Sequence, residues 1–153
     1  MQLLTVILSL TPAFVAGVHA MTVPPVQGNT APNGSVVHTF TDTCDTPDLS
    51  PSGKHFLLWA ACQEKDRKQR CTRLDLDKCY GDDNGNVVAK KDGKLSEHCT
   101  GCRLGSGNRA LGCVCKEKPD KVTWVTLDDL ITNEDGFLQC YDSSHRGEET
   151  CGQ

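Results

Sequence analysis

The sequence predicts an all-β domain made of two pseudo-symmetric repeats and stapled by disulfide bonds. Three observations lead to this fold class. Short apolar runs alternate with turn residues, and no window keeps helical periodicity beyond two turns. The chain has ten cysteines in 153 residues, an even number typical of a disulfide framework. Finally, the same cysteines and the same Leu-Asp pair recur at an interval of about fifty residues.

Residues 1–20 are predicted to be a signal peptide. They contain no Asp, Glu, Lys or Arg and end in Val18-His19-Ala20, a small-x-small cleavage pattern. A membrane anchor is the alternative, but Thr11-Pro12 interrupts the apolar run and polar sequence follows it. We therefore expect a secreted, extracellular protein without membrane insertion. Residues 21–37 are rich in Pro, Gly, Asn and Thr, which predicts a flexible leader.

Strands are predicted where apolar runs are bounded by turn residues. The turns contain Asn-Gly or Asp-Gly, in which Gly takes the positive φ that a tight hairpin needs. The stretch "TLDDLI" is expected to form no more than a single 3₁₀ or α turn. The predicted strands are His55–Cys62, Val122–Leu127 and Gly136–Tyr141, and the predicted hairpin turns are Asp83–Asn86, Lys91–Lys94 and Glu134–Phe137.

Charge and motifs exclude several classes of function. A net charge of −4 argues against nucleic acid or an anionic membrane as the partner. No Gly-x-Ser-x-Gly, His-Glu-x-x-His or phosphate-binding loop occurs, and oxidised cysteines offer no nucleophile. The stretch "YGDDNGNVVAKK" fails as a calcium loop, because Tyr80 and Lys91 fall where carboxylates are required. We predict no enzymatic activity, no cofactor and no metal.

The cysteine spacing from Cys99 to Cys115 has two interpretations. Four thiolates on two tight turns, Cys99, Cys102, Cys113 and Cys115, are the ligand set of a structural zinc site. Export and six further cysteines favour oxidised pairs instead. Two nested disulfides, Cys99–Cys115 outside and Cys102–Cys113 inside, would staple one hairpin, although spacing alone does not fix the connectivity.

The repeat divides the chain into two copies, at about residues 38–96 and 97–142, followed by a C-terminal tail at 143–153. One copy alone has too few apolar residues for a core, so two copies are expected to bury a shared one. The separation shrinks at the last matched pair, which we interpret as an extra loop of about seven residues, "YGDDNGN", in the first copy. The matched pairs are Cys44 with Cys99, Cys62 with Cys115, Leu76 with Leu127, and Asp92 with Asp135, at separations of 55, 53, 51 and 43.

These elements resemble the cyanovirin-N homology (CVNH) family of small secreted carbohydrate-binding proteins, in a secreted, fungal-type form. The first unit contains "FTDTC", "LLWAAC", "LDLD" and "DGKL". The second contains "EHC", "LGCVC" and "VTLDDLITNEDGFLQCY". Their order and spacing match the family from about His38 to Asp142.

The resemblance implies a fold and two disulfides. It implies two pseudo-symmetric halves, each a three-stranded antiparallel sheet with a β-hairpin, that exchange hairpins between repeats. It implies the bridges Cys44–Cys62 and Cys99–Cys115. The halves are expected to close within a monomer or to swap between two chains of a dimer.

The resemblance also implies a lectin that binds mannose-rich glycans or glycoproteins through hydrogen bonds. Thr43, Asn133 and Asp135 match the family's pattern, whereas Asp42 and Lys65 depart from it. The competing interpretation of Asn133 and Asp135 is that they only shape a turn. The residues that map onto this pocket are Thr39, Asp42, Thr43, Gln63, Lys65, Asn133, Glu134 and Asp135.

A second pocket is expected to be eroded. Its turn is predicted at Lys90–Gly93, where Lys replaces Asn, and its linker is reduced to Lys94–Ser96. Glu97, Lys116 and Lys118 retain the expected charge. The alternative function is therefore a sugar-silent secreted interaction protein, such as an effector, on the same scaffold.

Overall fold

A computed structural model describes residues 39–150, without the side chain of Ser106. The predicted signal peptide, the predicted leader and the last three residues lie outside the described residues. Within the described range, no helix combines the length and the apolar character needed to cross a membrane.

The described residues form eleven short strands, two one-turn α-helices and four 3₁₀ turns, which confirms the all-β prediction. The predicted single turn in "TLDDLI" is the 3₁₀ turn Leu127–Asp129. The helices are α1 (Phe40–Thr43) and α2 (Leu95–His98), and the strands are β1 (Cys44–Ser52), β2 (His55–Gln63), β3 (Gln69–Asp75), β4 (Tyr80–Asp83), β5 (Asn86–Ala89), β6 (Cys99–Leu104), β7 (Ala110–Cys115), β8 (Val122–Thr126), β9 (Thr132–Glu134), β10 (Phe137–Gln139) and β11 (Glu148–Glu149).

The strands form two sheets and two hairpins that repeat along the chain. The first sheet has the order β1-β2-β3-β11, and the second has the order β6-β7-β8. The hairpins β4–β5 and β9–β10 follow them, and all pairs are antiparallel. The two pseudo-symmetric repeats are therefore confirmed. The first sheet differs from the prediction by one short strand, because β11 adds to its edge.

The hairpins are exchanged between the repeats. Thr72 on β3 and Thr123 on β8 are buried at equivalent positions of the two sheets. The backbone N–H of Leu138 on β10 donates to Thr72 Oγ1 at 3.4 Å, and that of Val87 on β5 donates to Thr123 Oγ1 at 3.0 Å. Each sheet thus receives the hairpin of the other repeat, and each half contains strands from both.

The repeated Leu-Asp pair performs the same task twice. Leu76 and Leu127 are fully buried in the shared core. Each following aspartate reaches the helix that begins the opposite repeat. Asp128 accepts the backbone N–H of Thr41 at 2.9 Å and the Thr41 hydroxyl. Asp77 accepts the backbone N–H of Ser96 at 2.7 Å and the Ser96 hydroxyl. Both copies of the repeat therefore share two features: a buried leucine, and an aspartate that accepts hydrogen bonds from the other repeat.

The shared core is a single cluster contributed by both repeats, as the repeat analysis predicted. Its largest fully buried side chains are Tyr80 and Phe40, and leucines supply most of the remainder. Burying apolar side chains of this size contributes roughly 1.5–3 kcal/mol each. The core leucines and isoleucine that are fully buried are Leu58, Leu74, Leu76, Leu95, Leu111, Leu127, Ile131 and Leu138.

The disulfides link the first two strands of each sheet and join the repeats. Cys44–Cys62 and Cys99–Cys115 link directly opposed residues of β1–β2 and β6–β7. Cys102–Cys113 lies inside the second of these pairs, as the nested pairing predicted. The zinc interpretation of these cysteines is wrong, since all four sulfurs are oxidised. Cys79–Cys140 connects the first repeat to the second, and Cys71 is disulfide-bonded as well.

The predicted extra loop in the first copy is wrong. The stretch "YGDDNGN" is the hairpin β4–β5 itself, turning at Asn84 (φ 51°) and Gly85 (φ 76°). The hairpin β9–β10 turns in the same way at Asp135 (φ 54°) and Gly136 (φ 84°). Two successive positive φ values are those of the tight hairpin turn whose twist suits flanking strands. The separation of 51 therefore persists, and the counterpart of Asp135 is Asn84.

The turn predicted at Lys91–Lys94 is not a hairpin. It lies in the linker that carries the chain from β5 to α2, and Asp92 adopts φ 50° there. Gly93 approaches the backbone of Tyr80 so closely that a Cβ would lie 2.5 Å from its carbonyl oxygen. The sequence Asp-Gly-x-Leu therefore occurs in two structurally unrelated turns. Close packing requires glycine at Gly93, whereas a positive φ favours glycine at Gly136.

Residues 143–150, assigned to a tail from the sequence, pack into the domain. The backbone N–H of Gly147 donates to the Leu138 carbonyl at 2.7 Å, and Glu148–Glu149 pairs with β3. The Arg146 guanidinium lies 3.6 Å from the ring centroid of Phe137. This segment therefore holds the hairpin β9–β10 against the first sheet.

His145 connects this segment to the linker between the repeats. Its side chain is only 6% exposed, with Nδ1 2.8 Å from Asp142 Oδ1 and Nε2 3.1 Å from Asp92 Oδ1. Ser144 Oγ lies 2.8 Å from the same Nδ1, and Lys91 Nζ lies 2.6 Å from Asp142 Oδ2. Hydrogen bonds to Asp142 and Asp92 raise the pKa of His145 above its usual value. Lys91, Ser144 and His145 hold the pKa of Asp142 well below its usual range.

Because Asp128 bonds the opposite repeat and Asp129 does not in the part of the chain that the structure describes, replacing these two adjacent aspartates is expected to change the free energy of unfolding by different amounts. Asp128→Ala is expected to lower the free energy of unfolding by about 2–3 kcal/mol, because the Thr41 N–H loses a charged, part-buried acceptor. Asp129→Ala is the matched control, since Asp129 is exposed and makes no hydrogen bond within the described residues; its effect is expected below about 0.5 kcal/mol. Urea unfolding of the oxidised proteins measures both. Equal losses would contradict the role given to Asp128.

The linker contact predicts a dependence of stability on pH. Because the folded-state pKa of His145 is raised, its contribution is complete below about pH 6.5 and is lost as pH rises through that raised value. The contribution of Asp142, whose pKa is lowered, is present above about pH 4 and is lost towards more acidic pH. We expect the urea concentration at the unfolding midpoint of the natural protein to decrease as the pH is raised from 6.5 to 9. In His145→Gln this decrease is expected to be smaller. His98→Gln, at an exposed histidine, is expected to keep the natural dependence.

Candidate functional site

The structure brings all eight predicted site residues into one connected cluster. It lies where α1 begins, where β2 ends and where the hairpin β9–β10 turns, and we call it the first-repeat cluster. An antiparallel bridge between Thr39 and Thr132 sets α1 beside β9. Its members are Thr39, Asp42, Thr43, Gln63, Lys65, Asn133, Glu134 and Asp135.

Asn133 is the hub of the cluster. Its side-chain Nδ2 donates to Thr43 Oγ1 at 3.1 Å and to the Gln63 carbonyl at 2.8 Å. Its Oδ1 accepts the Gly136 N–H at 2.8 Å, which closes the turn. Asn133 therefore shapes the turn and also fastens α1 and β2 to it. A carboxamide suits this position because one side chain donates twice and accepts once.

Asp135 and Glu134 face the segment after β2. The backbone N–H of Lys65 donates to Asp135 Oδ1 at 2.9 Å, and the Lys65 ammonium lies 3.7 Å from Glu134 Oε1. All three side chains are exposed. The turn thus presents two carboxylates and one ammonium to solvent, at positions that backbone contacts fix.

The α1 side of the cluster is held by local hydrogen bonds. The Thr39 hydroxyl donates to Asp42 Oδ2 at 2.6 Å, and the Thr43 hydroxyl donates to the Thr39 carbonyl at 3.1 Å. Thr39 and Thr43 are half-buried, while Asp42 is exposed. The Thr43 oxygen consequently both donates and accepts, and its position is fixed from two sides.

Several polar atoms of the first-repeat cluster make no hydrogen bond within the described chain. They are the Gln63 side-chain amide, the second carboxylate oxygens of Asp42 and Asp135, and the Lys65 ammonium apart from its ion pair. Together they offer both acceptors and donors across a short span of surface. Such an array is suited to reading a set of hydroxyl groups.

Two residues that the sequence reasoning missed support the turn from below. The Arg70 Nε donates to Glu64 Oε1 at 2.8 Å, and this hydrogen bond raises the pKa of Arg70. A Cβ on Gly136 would lie 2.8 Å from Glu64 Cγ and 3.0 Å from Arg70 Cβ, so the turn rests on this ion pair. The Arg70 guanidinium also lies 4.4 Å from the Phe137 ring centroid. Arg70 lies opposite Cys62 in the β2–β3 register, a pairing that the sequence alone does not give.

The equivalent end of the second half is built differently from the prediction. Its turn belongs to the hairpin β4–β5, with Asp82–Asn84 at the positions of 133–135, and not to Lys90–Gly93. Gly85 packs against Lys118, as Gly136 packs against Glu64 and Arg70. Lys118 Nζ donates to Asn86 Oδ1 at 2.9 Å, and Lys116 Nζ donates to the Glu97 carbonyl at 2.6 Å. The turn is therefore retained, with Lys118 packed against it.

Comparison with known proteins finds the same architecture. The profile of the CVNH domain matches residues 40–139, from α1 to the end of β10. A comparison with curated proteins finds no match.

Solved structures of CVNH proteins align along almost their whole length. The T. borchii CVNH structure has 25% identity and a TM-score of 0.56 and covers 67% of this chain and 99% of that one. The Microvirin:mannobiose complex has 27% identity and a TM-score of 0.52, covering 68% and 99%. The MoCVNH3 variant in complex with (N-GlcNAc)4 has 16% identity and a TM-score of 0.57, covering 68% and 97%. With its exchanged hairpins, its stapled sheets and a profile match over most of its length, the chain belongs to the CVNH family.

Proposed function

We propose that this protein is a secreted lectin that binds mannose-rich glycans at the first-repeat cluster. The observation that carries the proposal is the convergence of Thr43, Gln63, Asn133 and Asp135 from three separate segments. Membership of the CVNH family supports it, as does the likeness to Microvirin, whose structure contains mannobiose. The predicted signal peptide supports secretion.

Recognition would follow from fixed hydrogen-bond partners. A pyranose presents adjacent hydroxyls, and each of them both donates and accepts. The free oxygen of Asp135 accepts from one hydroxyl while the Gln63 amide and the Lys65 ammonium donate to neighbours. An epimer moves one hydroxyl and leaves a polar partner unpaired, which costs about 1–3 kcal/mol. No step breaks a bond, so we propose binding without catalysis.

The second end is proposed to be the weaker site. Its hairpin turn is retained, but Asp82 Oδ1 is buried without a hydrogen-bond partner among the described residues, where Asn133 makes three contacts. Lys94, paired with Glu97 Oε1 at 3.3 Å, stands at the position of Thr39. Two unequal sites on one rigid body still gain from a branched glycan that reaches both.

One observation favours a sugar-silent interaction protein instead. Many polar atoms of the first-repeat cluster are already satisfied inside the chain: Asn133 uses its whole amide, and Lys65 pairs with Glu134. A surface that completes its own hydrogen bonds has less to gain from a glycan. The binding experiment below separates the two functions.

We propose that the oxidised protein is a closed monomer. Cys79–Cys140 joins the first repeat to the second, and in a swapped dimer the same bond would link two chains. Sedimentation is expected to show a monomer, and non-reducing electrophoresis is expected to show no disulfide-linked dimer. A dimer that separates only on reduction would contradict this proposal.

The glycan proposal is tested with an α1,2-linked mannobiose and a mannose-rich oligosaccharide by isothermal titration calorimetry. Asp135→Asn keeps an acceptor for the Lys65 N–H but removes a charged partner of the sugar, and Gln63→Ala removes a donor without touching the turn. Each is expected to weaken binding about tenfold, equivalent to about 1.4 kcal/mol.

Asp129→Asn is the matched control, since Asp129 is exposed and belongs to neither end that is proposed to bind. It is expected to leave binding at the first-repeat cluster unchanged. Absence of binding to any mannose-rich glycan would reject the lectin and favour the interaction protein. Unchanged binding in both cluster variants would keep the lectin and reject this site.

A further inference from the structure

A histidine and two aspartates converge at the opposite end of β2 from the first-repeat cluster. His55 begins β2, Asp75 ends β3, and Asp77 lies in the 3₁₀ turn that follows. His55 Nδ1 is 3.2 Å from Asp75 Oδ2 and 3.0 Å from Asp77 Oδ2. The three ligand atoms all lie within 4.8 Å of one another.

The fold does not require all three side chains. Asp77 holds Ser96 in the way that Asp128 holds Thr41 in the other half. At the position of Asp75, the other half has Thr126, which makes no side-chain cap. The β-sheet registers place Asn108 at the position of His55. The second half thus completes the same structural task without a histidine and without the additional carboxylate.

The two distances lie in the range of ordinary hydrogen bonds, and they also suit a metal ion. The single proton on Nδ1 faces two carboxylate oxygens, and it forms a good hydrogen bond with one of them at a time. Zinc–nitrogen and zinc–oxygen bonds of about 2.0–2.2 Å place neighbouring ligand atoms of a tetrahedral site roughly 3.3 Å apart. The observed 3.0 and 3.2 Å are close to that separation, so little rearrangement is needed.

Backbone contacts hold the carboxylates in place. Asp75 Oδ1 accepts the Asp77 N–H at 3.0 Å, and Asp77 Oδ1 accepts the Ser96 N–H at 2.7 Å. In each aspartate Oδ2 faces His55, and Asp77 Oδ2 also accepts the Ser96 hydroxyl. Outer contacts of this kind orient metal ligands and strengthen binding. Two carboxylates and one neutral imidazole also give the site a charge of −2, which favours a divalent cation.

The cluster opens onto a cavity of about 530 Å³ between the two halves. His55 and Asp77 line it together with Phe56, Ser96 and Glu97. His55 is half-exposed and Asp77 is nearly buried, so the ion would lie at the wall of the cavity with one side open. Three protein ligands with an open position are the arrangement of an accessible zinc site.

We propose that His55, Asp75 and Asp77 form a site for a divalent transition-metal ion, preferentially Zn²⁺, with its open position towards this cavity. The proposal does not depend on glycan binding. The competing explanation is a protonated His55 that pairs with both carboxylates and binds no metal.

The test is a titration of the tag-free mature protein with Zn²⁺ by calorimetry, with the melting temperature measured in parallel. One equivalent of Zn²⁺ is expected to bind and to raise the melting temperature, because the ion binds only the folded site. His55→Ala is expected to weaken binding at least tenfold. Asp75→Asn, which keeps an acceptor for the Asp77 N–H, is expected to do the same while remaining folded by circular dichroism.

His98→Ala is the matched control, because this exposed histidine lies outside the cluster. It is expected to bind Zn²⁺ as the natural protein does. Ca²⁺ and Mg²⁺, which prefer oxygen ligands, are expected to bind much more weakly. Absence of Zn²⁺ binding would overturn the proposal. So would binding by His55→Ala and Asp75→Asn that is as tight as in the natural protein, or a loss of binding in His98→Ala.

Discussion

The fold depends on two carboxylates that cross between the repeats. Asp77 and Asp128 each follow a fully buried leucine, and each holds the first turn of the opposite repeat. A short helix in isolation is unstable, because nucleation costs more than its few hydrogen bonds return. The carboxylate supplies an acceptor to the unpaired N–H groups of that turn. The buried leucine fixes the backbone position of the aspartate that follows it. Apolar packing and hydrogen bonding therefore position the same contact.

This exchange explains why the first-repeat cluster exists only in the folded whole. Asn133 belongs to the second repeat, whereas Thr43 and Gln63 belong to the first, and their hydrogen bonds cross between the repeats. The hairpin that carries Asn133 rests on β3 through Thr72. Neither repeat alone would place donors and acceptors opposite one another. Site geometry is therefore a consequence of hairpin exchange and not of local sequence.

Much of this architecture was predictable from the sequence, and the predictions that were wrong share a physical cause. Apolar runs and glycine turns located β2, β8 and β10, and the resemblance to the family implied the bridges Cys44–Cys62 and Cys99–Cys115. The error came at "DGKL", where the letters of a close-packing glycine at Gly93 matched those of a positive-φ turn at Gly136. The sequence shows that glycine occupies both positions, but it does not show whether close packing or a positive φ requires it. Arg70 was missed for a related reason: its neighbours are set by β-sheet register.

The linker between the repeats has a consequence for the resistance of the protein to proteases. It exposes Lys90, Lys91 and Lys94, which are cleavage positions for trypsin-like proteases. Cys79–Cys140 joins the pieces on either side of the linker, and the exchanged hairpins keep each piece embedded in the other. A nicked chain would therefore remain one particle with its surfaces in register. Because the disulfide spans the linker, a single cut there would not separate the two repeats.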